Sequence, residues 1–280
     1  MGVLAAVRRR RKIVLALAIA VSLAASAAAQ RGRRGFGGGR FQTRIGPNAP
    51  YDGTFRFCRI MFRQNPNGDG DGWSVDYPRA DINLSYRLSE LTSTSVGRDG
   101  HGGYNHAVFQ LTDAELFKCP FVMLTEPGGS YFDDDEAAQL RDYLLRGGFL
   151  WADDFWGERA WANWAEQIGK ALPPGEYPIV DIPLSHEIFH MLYQVNAVPQ
   201  IPSINSWFRG RQTSERGAES AVPHARGIFN DHGNLIVLST HNTDFGDAFE
   251  REGENRDFFD HFAGVGYAFG INALLYAMTH

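Results

Sequence analysis

The sequence predicts an α/β domain built on a doubly wound, mostly parallel sheet, and three observations carry that expectation. Short apolar runs bounded by polar or turn residues alternate with amphipathic stretches, which is the order of β-α-β units. Several of these runs read as strands buried in the core. Residues 51–280 are long enough to bury one sizeable core, so a single domain is expected.

The elements follow in order. Phe55 to Phe62 reads as a strand, and Asp81 to Leu91 as a helix with Ile82, Leu84, Leu88 and Leu91 apolar. Thr92 to Val96 is a β-branched, strand-like run, and Thr112-Asp-Ala-Glu115 is a capping box opening a short helix. Phe121–Thr125 reads as a buried strand. Asp133-Asp-Asp-Glu136 then places acids on the first turn of a helix, where the dipole favours them, and Gly147-Gly148 ends it. Phe149–Ala152 is the next strand, closed by Asp153-Asp154, and Glu158 to Lys170 the next helix. Prolines between Leu172 and Pro202 predict short strands and turns. Ile228–Asp231 and Asn234–Thr240 around His232-Gly233 form a hairpin, and Ala263–Met278 is a terminal helix. Gly266 and Gly270, four apart, let that helix approach a neighbour closely.

The N-terminus predicts export. Arg8–Lys12 is a charged n-region, Ile13–Val21 an apolar h-region, and Ala27-Ala-Ala29 a small-residue cleavage site, so residues 1–29 read as a signal peptide. Residues 30–50, rich in Gly and Arg, read as a flexible tether before the domain at 51–280. The apolar stretch is short for a spanning helix, and no stable membrane span is expected after cleavage. The destination is the periplasm or the medium.

Residues 1–50 hold ten of the 27 Lys/Arg and none of the 32 acids, so residues 51–280 carry a net charge of −15. So acidic a body is a poor nucleic-acid binder, because phosphate neutralisation needs clustered Lys and Arg. It suits a cationic or neutral ligand, a metal ion, or solubility alone. Cys58 and Cys119 are too few for a disulfide scaffold. One bridge and two buried thiols are both open.

Three predicted strands end in polar groups: Thr125-Glu126, Asp153-Asp154 and His241-Asn242. Parallel strands leave the sheet on one edge, which is where open α/β sheets bind ligands. Glu126, Asp153, Asp154, His241, Asn242, Asp244, Asp247 and Glu250 are therefore the candidate ligand-binding residues. His241, Asp244, Asp247 and Glu250 are spaced by three, so on a helical turn they would share a side and offer an imidazole with carboxylates to a divalent metal.

A second candidate metal pair lies in His186-Glu-Ile-Phe-His190, which fits the HExxH pattern with Glu187 as general base. Pro183 and Ser185 precede it, and no third ligand follows. Asn67-Gly-Asp-Gly-Asp-Gly72 resembles half a calcium loop, but its twelfth position is Pro78 rather than Glu, so a Gly/Asp turn is the reading preferred. There is no G-x-S-x-G elbow.

The segments Leu140–Gly157, Ser185–His190, His241–Glu250 and Gly270-Ile-Asn272 resemble a bacterial domain-of-unknown-function family, number 4159, across nearly all of residues 51–280. The resemblance implies a class I glutamine-amidotransferase-like, flavodoxin-related fold. Amidotransferases of that fold use a Cys-His-Glu triad, and this chain has no cysteine at the nucleophile turn. The expected function is binding of a small polar ligand or an envelope partner at the strand-exit edge, without glutaminase activity. Two alternatives stand beside it: a metal-assisted hydrolase using His186, Glu187 and His190, and a structural envelope protein.

Overall fold

A computed structural model describes residues 45–280. The expected signal peptide and most of the expected tether lie outside the described residues. The elements in chain order are β1 (Phe57–Ile60), β2 (Arg63–Gln64), α1 (Arg79–Leu91), β3 (His106–Phe109), β4 (Phe121–Thr125), β5 (Ser130–Tyr131), α2 (Asp134–Leu145), β6 (Phe149–Asp153), α3 (Gly157–Ala171), β7 (Val180–Asp181), α4 (Ile204–Gly210), β8 (His224–Phe229), β9 (Leu235–His241), α5 (Phe245–Glu250), α6 (Arg256–Phe258) and α7 (Gly264–Thr279). Short 3₁₀ turns connect several of them.

Seven strands form one mixed sheet in the order β3-β1-β4-β6-β9-β8-β7. The first five are parallel, and β8 and β7 extend the sheet antiparallel at one edge. Alternate residues point to opposite faces. Phe57, Phe121, Met123, Phe149 and Trp151 pack with α1, α5 and α7. Cys58, Ile60, Val122, Leu124, Leu150 and Ala152 pack with α2 and α3. Both faces are thus covered, which explains why β4 and β6 are apolar along their length.

Local signals act as expected in most places. Asp133 accepts the Glu136 backbone N–H while the Glu136 side chain accepts that of Asp133, a complete capping box on α2. Gly147, at φ +98°, follows the end of that helix, as a residue in the left-handed region should. On α7, a Cβ at Gly266 would sit 2.8 Å from the Ala248 Cβ, and one at Gly270 would sit 2.8 Å from the Phe249 ring. Those two glycines let α5 lie against α7.

Two expectations fail locally. The Thr92–Val96 run is not a strand: Thr92 terminates α1, its hydroxyl donating to the Leu88 carbonyl, and only Val96 bridges to Phe55. The strand beside β1 is instead β3, a four-residue run that follows the Asp99–Gly103 turn. The Thr112–Glu115 capping box does not form. Asp113 precedes a 3₁₀ turn over Ala114–Lys118, and its carboxylate accepts the Gln110 N–H. By length and apolarity alone Arg256–Thr279 could cross a membrane, contrary to expectation, but most of it is buried, with α7 packed on the sheet.

Cys58 on β1 and Cys119, two residues before β4, form a disulfide. It ties two adjacent parallel strands and spans 61 residues of sequence. Loop-closure entropy over that span predicts that replacing both cysteines by alanine lowers unfolding free energy by about 4 kcal/mol, measured by urea denaturation. A loss below about 1 kcal/mol would show that the denatured chain gains nothing from the link.

Candidate functional site

Strands β4, β6 and β9 are neighbours, and Thr125 pairs with Asp153 at their ends. The residue that follows each strand takes the left-handed backbone conformation: Glu126 at φ +56°, Asp154 at +60° and Asn242 at +62°. A fourth non-glycine residue, Asp76, has φ +62° in the turn before α1. Left-handed conformations are uncommon for residues with a Cβ and gather where surrounding structure fixes a side chain for a purpose.

The carboxylates here fall into two groups. Asp153 and Asp247 are fully engaged. Asp153 accepts the Thr240 hydroxyl at 2.5 Å and the backbone N–H groups of Phe245 at 2.8 Å and Gly246 at 3.1 Å. It therefore ties the end of β6 to the first turn of α5. Asp247 accepts the Ile204 N–H and the Arg251 guanidinium. Asp244 caps α5 through one oxygen, which accepts the Asp247 N–H at 2.7 Å.

The second group is short of partners. Ligand-capable oxygens of Asp76, Asp154 and Asp244 all lie within 4.8 Å of one another, and the three residues are 7, 5 and 3% exposed. Asp154 accepts the Trp156 indole N–H at 3.1 Å. Oδ2 of Asp76 is shut off from solvent and has no hydrogen-bond partner. Asp76 also lies within the same limit of Asp247 and the half-buried Glu250.

Arg59 fixes the turn that carries Asp76 and draws on its carboxylate, while its own ion pair is with Asp81. Its buried guanidinium pairs with Asp81 and donates to the carbonyls of Trp73 and Val75, which frame the Asp76 turn, and to the Thr125 hydroxyl. Arg251 serves Asp247, Glu250 and Glu254. Burial raises Asp76, Asp154 and Asp244 well above the usual carboxyl range, and mutual repulsion adds to it. Burial also raises Asp153, to about 7, against the pull of its hydrogen bonds. At the outer rim, burial and the neighbouring Asp71 carboxylate raise Glu126 to about 8. Burial raises Asp247 and Glu250 as well.

The other sequence candidates stand apart from this cluster. His241 ends β9 rather than joining a helical turn, so the spacing by three places only Asp244, Asp247 and Glu250 together. Its ring lies against Phe155 and Trp161, Nε2 meets the Gly157 carbonyl at 3.1 Å, and Nδ1 faces Arg226. Burial lowers it to about 4, so it is neutral at pH 7. Asn242 is a brace: its amide accepts the Gly157 N–H and donates to the Val222 carbonyl. His186 and His190 flank a 3₁₀ turn, Glu187–Phe189, not an α-helix. His186 Nδ1 accepts the Ile188 N–H, His190 Nε2 meets the Leu184 carbonyl, and Glu187 pairs with His280. His186 also touches Phe229 and Tyr276, near the sheet edge opposite the carboxylates. The two imidazoles and Glu187 thus share no ligand point. In the Asn67–Gly72 loop, Gly70 meets the Glu126 carboxylate, where a Cβ would stand 2.7 Å from Oε2. That loop packs on the site's rim.

Asp76 and Arg59 are the residues that sequence reasoning missed. Asp76 sits in Gly72-Trp-Ser-Val-Asp-Tyr-Pro78, where no motif or periodicity marks it. Arg59 lies inside an apolar strand, and a charge at a core position was the one signal that could have drawn attention to it.

The fold and site define a class: an α/β domain with buried carboxylates clustered at the carboxyl edge of its parallel strands. The chain belongs to the family described as domain of unknown function, DUF4159, whose model matches residues 59–278. Comparison with curated proteins gave no match.

Two predictions follow from the two kinds of carboxylate. Asp153→Ala strands two buried N–H groups and lowers stability by about 3 kcal/mol. Asp154→Asn keeps an acceptor for Trp156, relieves repulsion and raises the stability of chelator-treated protein by about 1 kcal/mol. Urea denaturation at pH 7 checks both, and equal losses in the two variants would refute the division. The second prediction concerns pH. A carboxyl raised in the fold adds stability below its unfolded value near 4, and that contribution is lost as pH climbs through the folded value. His241, depressed in the fold, works oppositely, but only below about 6.5. Between about pH 6.5 and 8, chelator-treated protein should lose stability as Asp153 and Glu126 ionise. A flat profile over that window would contradict it.

Proposed function

We propose that this is an exported α/β domain that binds a small, polar, positively charged ligand in the acidic crevice at its strand exits, without glutaminase chemistry. One observation carries the reading: left-handed residues at three adjacent strand ends surround carboxylates for which the fold provides too little positive charge. Burying that charge is costly, and a cationic ligand offsets the cost. Asp71, Glu215 and Asp69 lie close enough to Glu126 to raise its carboxyl, and of these Asp69 is paired with Arg216.

Two further features support the reading. Both cysteines of the chain are joined to each other, which leaves no thiol nucleophile for a glutaminase triad and agrees with an oxidising compartment. The signal-peptide pattern of residues 1–29 points to the same compartment. Counting the parallel strands alone, their order along the sheet is 2-1-3-4-5, which supports a flavodoxin-related, glutamine-amidotransferase-like architecture.

The test is a thermal-shift series on chelator-treated protein with alkylamines, guanidinium compounds, inorganic cations, polyols and carboxylates. Cationic compounds should raise the melting temperature of the wild-type protein, carboxylates should not, and Asp154→Asn should blunt the response. No shift with any cation, or an equal shift in Asp154→Asn, would overturn the proposal.

A further inference from the structure

We infer that Asp76, Asp154 and Asp244 form a binding site for one hard divalent cation of the calcium or magnesium class. The inference rests on the strand-exit reading above and names the ligand of its deepest part.

The geometry is that of a ligand set. Three carboxylates come from three separate places in the chain: the turn before α1, the exit of β6 and the cap of α5. Their oxygens lie within 4.8 Å of one another, and none of the three residues is more than 7% exposed. Between carboxylates this close and this little exposed, a single ion stripped of most of its water fits better than an organic molecule. Asp76 supplies the independent sign that something is bound. Its Oδ2 is sealed from water and meets no donor, although buried carboxylate oxygens are ordinarily satisfied. Its surroundings also keep out any further side chain: a Cβ on Gly246 would stand 2.1 Å from that oxygen.

The alternative grouping of Asp76 with Asp247 and Glu250 is less free. Arg251 pairs with both of those acids, at 3.2 and 2.7 Å, and Asp247 also holds the start of α4 through the Ile204 N–H. Among the described residues, no such cation pairs with Asp154 or Asp244. Arg59 draws on Asp76 but is itself paired with Asp81. The donor set is oxygen alone, since His241 is turned to the Gly157 carbonyl. Oxygen donors without imidazole or thiolate select calcium, magnesium or manganese over zinc and copper. The left-handed backbone at Asp76 and Asp154 then has a purpose, which is to turn both side chains toward one point.

The experiment uses the mature protein freed of metal by chelation, titrated calorimetrically with CaCl₂ and with MgCl₂. In parallel, Tb³⁺ emission is excited through tryptophan, because the Trp156 indole is bonded to Asp154. One ion per chain is expected, with sensitised emission that calcium competes away. Asp76→Asn and Asp244→Asn should each weaken binding by at least about tenfold, while Glu176→Gln on the far surface leaves it unchanged. Circular dichroism of each variant confirms the fold, and the two variants serve as replacements for one another should either fail to fold. Binding that survives both substitutions overturns the site. Failure to bind calcium, magnesium or terbium while alkylamines still raise the melting temperature overturns the ion and leaves the crevice reading standing. Failure of ions and amines together overturns both.

Discussion

Negative charge gathered under the carboxyl edge of the sheet is the constraint to which the rest of the structure answers. Asp76, Asp153, Asp154, Asp244 and Asp247 are all buried within one short stretch of the fold. At interior dielectric, like charges a few ångströms apart repel strongly, and each also loses its hydration. A chain that only needed a stable core would place leucine or asparagine at these points. The fold instead spends structure on keeping the carboxylates there: Thr240, Phe245 and Gly246 satisfy Asp153, Arg251 meets Asp247, and Arg59 stiffens the turn of Asp76.

The same constraint explains the local backbone. Strand ends in a parallel sheet are ordinarily free to turn through glycine, yet here Glu126, Asp154 and Asn242 occupy left-handed positions with full side chains. Each conformation costs free energy that the surrounding packing must offset. Asn242 shows how: both ends of its amide are bonded, to Gly157 and to Val222, so it is locked as a brace. Glu126 is held by the close approach of Gly70. Asp154 is fixed by Trp156 on one oxygen only.

How far the sequence revealed this depends on the range of the interaction. β4, β6 and β9 were legible because a strand covered on both faces must be apolar along its length, and their polar successors followed from the same boundary. Parallel neighbours share an edge, which is why a convergence of those successors was expected; of them Asp154 lies with Asp76 and Asp244, whereas Asn242 is bonded to Gly157 and Val222. The spacing by three holds for Asp244, Asp247 and Glu250, which cap or lie on one helix, but Asp244 lies with Asp76 and Asp154 while Asp247 and Glu250 form a separate set with Asp76, and His241 belongs to the preceding strand. Asp76 was invisible. It reaches the cluster through a turn fixed by Arg59, Trp73 and Val75, a tertiary arrangement that leaves no local periodicity. The HExxH match misled for the converse reason. Its meaning depends on α-helical geometry, and Glu187–Phe189 is a 3₁₀ turn in which His186 is spent on capping.

Adjacent aspartates at the end of β6 concentrate the argument. Asp153 and Asp154 are neighbours in sequence and equally buried in effect, yet the pleat sends them to different tasks. Asp153 faces α5 and closes a set of hydrogen bonds that a purely structural carboxylate would make. Asp154 turns through a left-handed residue toward Asp76 and Asp244, and among the described residues neither Asp154 nor Asp244 is paired with an arginine or lysine, while Arg59, which draws on Asp76, is itself bound to Asp81. If stability were the only demand, the second aspartate would follow the first into the hydrogen-bond network or be replaced by a neutral residue. A positive charge from outside the chain accounts for the second aspartate as directly as the start of α5 accounts for the first.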